Sequence, residues 1–226
     1  MLENKVNRRA ILRSAITLTG TVGTLAAVQL GSARKVQAQC SPLSQRKTIL
    51  LAVDLQNGFL VTPECKAVVP KVINHASQFY QVWVTRFFNR NPNFSRQVNW
   101  NEMVSGPETE LPTNLSRVAS KTFDKPSYSP ISPALLQALQ SDAITTVAVC
   151  GVDTDACVMA TALGLFDAGF ETFVVSDGCA SSGGQEYHET AIKILKRNIG
   201  AQYVISFKRL YSLLIEGKTV LTPNSL

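Results

Sequence analysis

Three residue types in this chain could together carry out nucleophilic acyl chemistry: a cysteine, a carboxylate and a lysine. The cysteine is Cys157, within TTVAVCGVDTDACVMAT at positions 145–161. An unbroken β-branched and apolar run bounded by glycine predicts a buried strand from Thr145 to Cys150 and a tight turn at Gly151. Asp155 then stands as a cap before the periodic apolar residues Ala156, Val158, Met159, Thr161 and Leu165, which predicts a helix starting near Thr154 or Asp155. Cys157 falls in its first turn, where unpaired N–H groups and the positive end of the helix dipole favour thiolate over thiol. A lone cysteine is also a good small hydrophobe for a core, so partners from elsewhere in the chain must decide.

Asp54 supplies an acid at the end of LLAVD. Placed directly after a buried strand, its carboxylate belongs to the sheet edge where Cys157 should emerge, and open α/β sheets bind ligands along that edge. Acids at such positions also serve simply as caps. The lysine lies in SKTFDKPSYS, where both Lys121 and Lys125 are candidates and solvation is the ordinary fate of either. If the three converge, the acid takes the thiol proton and the ammonium stabilises both negative charges.

Positioning these groups falls to alternating elements. Apolar runs at Ile49–Leu55, Val82–Phe87, Val147–Cys150, Thr172–Ser176 and Tyr203–Phe207 predict strands, and Val118–Phe123 predicts a further one. Amphipathic stretches near 66–80, 132–141, 155–168, 186–198 and 208–216 predict helices between them. Such alternation argues for an α/β fold with a parallel sheet wrapped by helices on both faces. The polar stretch from Asn89 to Pro112 shows no regular period and carries Trp100, which suits a lid or pocket wall.

Residues 1–38 read as separate from the fold. Arg8 and Arg9 precede a weakly apolar run, Ala15 to Leu30, followed by Arg34, Lys35 and the small-residue site Val36-Gln37-Ala38. That order predicts a cleaved export signal of twin-arginine type and a periplasmic destination. The run is shorter and more polar than a spanning helix requires, so membrane contact is expected only through the leader. Six basic residues against Glu3 give this segment +5 of the chain's +6. The mature protein is then nearly neutral, which removes the electrostatic case for nucleic-acid binding. After a linker at 39–47, residues 48–216 suffice for one buried domain, with 217–226 as a tail.

The five cysteines form no CxxC pair or metal-finger spacing. Export permits a disulfide, for which Cys40 and Cys65 are the pair considered. Cys150 and Cys179 read as packing residues. His75 and His188 are the chain's two histidines, each expected on a helix.

Three blocks, AVDLQNGF, DKPSYS and CGVDTDACVMATALGLFDAGFETFVVSDGCAS, resemble the isochorismatase-like cysteine hydrolases. That family includes nicotinamidases, N-carbamoylsarcosine amidases and ureidoacrylate amidohydrolases. The resemblance implies a three-layer α-β-α fold around a six-stranded parallel sheet. It also implies a triad of Asp54, Lys125 and Cys157, since Lys125 has the family's spacing to Tyr128 and Ser129 and Lys121 does not. It further implies a cis bond between Val152 and Asp153, with an oxyanion hole from the N–H groups of Asp153 and Cys157. Phe59, Phe88, Trp100 and Tyr128 are candidates for the walls of the substrate pocket. Nicotinamidases carry a metal on an Asp-x-His motif after the second strand. Here that stretch reads TRFFNRNPNFS, so no metal or other cofactor is expected. A retained Cys157 points to C–N hydrolysis of a small amide, ureide or carbamoyl compound. The alternatives are an isochorismatase-type ether hydrolase and a non-catalytic small-molecule binder on the same scaffold. Family members commonly associate, which leaves a homo-oligomer open.

Overall fold

Two six-residue runs, Thr48–Val53 (β1) and Thr146–Gly151 (β4), are buried at every position. Strands covered on both faces cannot alternate polar and apolar residues, which is why these runs are almost wholly apolar. They pair in parallel at the centre of a six-stranded sheet. The structure, a computed structural model, describes residues 47–216. The segment expected to be an export leader, Cys40, all but the last residue of the expected linker, and the expected C-terminal tail lie outside the described residues.

The other strands are Gln81–Phe87 (β2), Ala119–Lys125 (β3), Glu171–Cys179 (β5) and Val204–Ile205 (β6). All neighbours are parallel and the order is β3-β2-β1-β4-β5-β6. From β1 the chain winds to one side through β2 and β3, and from β4 to the other through β5 and β6. The carboxyl ends of β1 and β4 therefore flank the crevice where a doubly wound sheet binds its ligand. Helices Pro63–His75 (α1), Pro92–Val98 (α2), Thr113–Val118 (α3), Pro133–Ser141 (α4), Met159–Asp167 (α5), Gln185–Ile199 (α6) and Phe207–Glu216 (α7) complete the alternation. The expected α/β three-layer architecture is thus observed.

The differences from expectation are local. α1 starts at Pro63 rather than near 66, because Pro fits the first helical position and Thr62 caps the turn by accepting from the Cys65 N–H at 3.2 Å. Pro70 is accommodated within α1 on its exposed side. The stretch from 89 to 112 is not wholly irregular: it holds α2, capped by Asn91, and a 3₁₀ turn at Pro107–Thr109. The final strand contracts to two residues. The edge strand β3 alternates between exposed and half-buried positions until its last residue, Lys125, which is buried.

Candidate active site

Asp54 follows β1 directly and takes a left-handed backbone conformation, φ 51°. Such a φ is uncommon for a residue bearing a Cβ, and here Thr85 on β2 holds it. The Thr85 hydroxyl accepts from the Asp54 N–H at 3.2 Å and donates to Oδ1 at 2.6 Å. Oδ2 is left to face Lys125, whose Nζ lies 2.6 Å away. Asp54 is fully buried and Lys125 is 4% exposed, so each charge depends on the other. The ammonium also donates to the carbonyls of Ser127 at 2.8 Å and Tyr128 at 3.0 Å, and lies 3.4 Å from Cys157 Sγ. Lys121 is elsewhere: it pairs with Asp142 at 2.8 Å and lies over the Trp83 ring. Four residues along a strand separate the two lysines by about 13 Å, so only Lys125 reaches the carboxyl edge.

The turn carrying Cys157 differs from the first turn of an α-helix. Residues Thr154–Val158 form a π-helical turn before α5, and the N–H groups of Ala156 and Val158 both donate to the Asp153 carbonyl. Asp153, not Asp155, occupies the cap position, and its side chain makes no cap hydrogen bond to the turn. Instead its carboxylate accepts from the N–H of Ser182 at 2.7 Å and from its hydroxyl at 2.6 Å. The Val152–Asp153 bond is cis. Among the described residues, the N–H of Asp153 has no acceptor.

Burial works against the thiolate that the helix dipole was expected to favour. Burial, first, and then the charge of Asp54 push the Cys157 thiol well above its ordinary range, against the opposing pull of Lys125. With only 6% of the residue exposed, desolvation outweighs the terminal N–H groups. Burial and the Asp54 carboxylate thus both favour the thiol over the thiolate, beside the buried Asp54–Lys125 pair.

Of the four aromatic residues considered as pocket walls, three join one cluster. Phe59 and Trp100 lie 6.0 Å apart, and each contacts Phe87. Tyr128 contacts Phe94, which packs on Phe87 and Trp100. Phe88 is placed differently, with the Arg86 and Arg90 guanidinium groups over its ring at 5.2 Å each. Phe87, which lies under the Lys125 ammonium, and Phe94 were not anticipated. Nor were two polar residues that set the frame. Gln56, fully buried, accepts from the Phe87 N–H at 2.6 Å and donates to the carbonyls of Phe87 and Thr109. The detectable signal was a polar side chain interrupting an apolar run, Thr85 within VWVTRF and Gln56 just past LLAVDL, since a buried polar group must be partnered.

The stretch TRFFNRNPNFS at the end of β2 is engaged in contacts other than metal binding. Phe87 belongs to the aromatic cluster, and Asn89 uses its amide to donate to the carbonyls of Trp100 and Glu102. His75 stacks on Phe207 and His188 bonds Thr154, and no group of three metal-ligating side chains occurs among the described residues. Cys65 is a free, buried thiol.

Comparisons with known proteins agree with this geometry. The family model for the isochorismatase domain matches residues 48–206. A curated relative, isochorismatase domain-containing protein 2 of Xenopus laevis, is 40% identical over 62 residues, which make up 27% of this chain and 30% of that protein. The chain thus matches about a third of the length of its curated relatives. Among solved structures, an isochorismatase-like hydrolase from Alkaliphilus metalliredigens aligns with a TM-score of 0.64 at 19% identity, covering 73% of this chain and 97% of the other. N-carbamoylsarcosine amidase from Thermoplasma acidophilum aligns with a TM-score of 0.59 at 23% identity, covering 71% and 95%. At these identities the structural likeness speaks for the fold, and the family match spans most of the described residues. By sequence and by architecture, the chain belongs to the isochorismatase family.

Proposed function

We propose that this chain is a cysteine hydrolase that cleaves a C–N bond in a small amide, ureide or carbamoyl compound. The observation that carries the proposal is the buried contact of Asp54, Lys125 and Cys157 at the switch point of the sheet. A core has no need for an ion pair against a thiol, whereas nucleophilic catalysis does.

Cys157 Sγ attacks the substrate carbonyl carbon as its proton passes to Asp54 Oδ2, which has no hydrogen-bond partner of its own beyond the facing ammonium. Because the thiol starts protonated, deprotonation and attack occur together. Lys125 offsets the negative charge at both ends of the transfer. The N–H groups of Asp153 and Cys157 receive the tetrahedral oxyanion. Protonated Asp54 then returns the proton to the leaving nitrogen, the C–N bond breaks, and ammonia or an amine departs from a thioester. Water, deprotonated by Asp54, attacks the thioester, and the thiol is restored with release of the acid. Each oxyanion donor is worth about two to three orders of magnitude in rate. The Phe59–Trp100–Phe87 cluster supplies an apolar wall for the acyl group.

A screen of small amides and ureides for ammonia release tests the proposal. Turnover that disappears in Cys157→Ala, with the unfolding transition retained, supports it. Ammonia release that survives this substitution removes Cys157 from the mechanism.

A further inference from the structure

We propose that His188, on α6 and outside the triad, is a positioning residue that holds the turn carrying Cys157 through the hydroxyl of Thr154. Thr154 is the first residue of that π-helical turn, three before Cys157 and next to Asp153. Its side chain is fully buried, so its hydroxyl requires a partner. The partner is His188 Nδ1, at 2.8 Å.

A second tie comes from the same part of the chain. The segment between β5 and α6 binds the turn at three further points: the Thr154 N–H donates to the Ala180 carbonyl at 2.9 Å, and Ser182 donates twice to the Asp153 carboxylate. Asp153 and Thr154 are thereby fastened to the segment between β5 and α6 and, through His188, to α6 itself. The turn needs such fastening. The N–H groups of Ala156 and Val158 converge on the Asp153 carbonyl, and the cap side chain is engaged elsewhere.

Packing does not account for an imidazole at this position. His188 is only half-buried, and its ring borders an open pocket of about 250 Å³ that Lys71, Asp177 and Ser181 also line. An apolar side chain on α6 would leave the buried Thr154 hydroxyl without a partner. Partial burial holds the ring toward its neutral form, in which Nδ1 can accept from or donate to a hydroxyl. His188 touches neither the thiol nor the ion pair, so it acts through Thr154 alone.

The test takes Cys157 as the nucleophile, as in the proposed function, and uses iodoacetamide as the probe on the full chain at neutral pH, with each cysteine followed by mass spectrometry. His188→Phe keeps a ring and removes the hydrogen bond. His188→Asn keeps an amide near the Nδ1 position. Thr154→Val and Thr154→Ser form the matching pair on the other side. Alkylation of Cys157 should slow about tenfold in His188→Phe and Thr154→Val, the scale of one lost hydrogen bond. It should return to within about twofold of the parent in His188→Asn and Thr154→Ser, with all four unfolding transitions preserved. A His188→Phe rate equal to or above that of the parent, or an Asn variant no better than Phe, overturns the positioning role while leaving the triad intact. A parent chain whose Cys157 reacts no faster than Cys65, Cys150 or Cys179 overturns the nucleophile assignment, and this inference with it.

Discussion

One ammonium at Lys125 meets a carboxylate, two carbonyls and a sulfur within 3.4 Å, and almost none of it reaches water. Removing it leaves Asp54 charged in a closed site with nothing opposite. Lys125→Met should therefore cost about 3–5 kcal/mol of stability in urea unfolding, besides ending any activity. Adding Asp54→Asn should recover much of that loss, because the stranded charge is then gone. A Lys125→Met protein as stable as the parent would mean that the pair is not held as described. The lysine also illustrates what local reading resolves. Lys121 and Lys125 share a strand and similar surroundings in sequence, and spacing to Tyr128 and Ser129 favoured Lys125 through family likeness. Physically the choice is one of reach: Lys121 lies earlier on β3, beside Asp142. Thr85 inside β2 and Gln56 just past β1 carry no local sign of their role until their buried partners, Asp54 and the Phe87 backbone, are known.

At the level of elements, the crevice depends on how closely β1 and β4 approach at their carboxyl ends. Gly151 has φ +124°, and a Cβ built there would run into the Val53 carbonyl oxygen. Both the backbone conformation and the space exclude a side chain. Gly151→Ala should lower stability by about 3 kcal/mol or more, read from the midpoint of denaturant unfolding, and should displace Asp54 from Cys157. An unchanged midpoint would contradict the close approach. Strands β1, β2, β4 and β5 were legible because long β-branched runs suit burial on both faces. α2 was not, since Phe94 is its one buried residue and its ends rest on Asn91 and on the left-handed Asn99. The π-helical form of the Cys157 turn was equally hidden. Its ties run to Ala180 and Ser182 in the connection after β5 and to His188 on α6, all later in the chain.

For the molecule as a whole, burial raises the thiols of Cys65, Cys150, Cys157 and Cys179, with Cys179 pushed up to about 12. An unfolded thiol ionises near pH 8.5. Folding therefore keeps protons that the unfolded chain releases above that pH. Stability is fully present below about pH 8.5 and falls as pH rises toward the folded values. Unfolding midpoints measured from pH 7.5 to 10.5 should decline, and Cys179→Ala should flatten part of the slope. A flat profile would mean that these thiols are not buried as described. The sequence alone determined the α/β class, the central strands and which acid and sulfur stand at their carboxyl ends, because the burial of a strand and the polarity of its end are written in adjacent residues. Tertiary structure decided the rest: that an ammonium from an edge strand closes on Asp54, that burial works against the Cys157 thiolate, that Phe87 and Phe94 join the aromatic cluster while Phe88 does not, and that α6 reaches back to the turn carrying Cys157. Those outcomes depend on distance and desolvation between residues far apart in the chain, which no local pattern records.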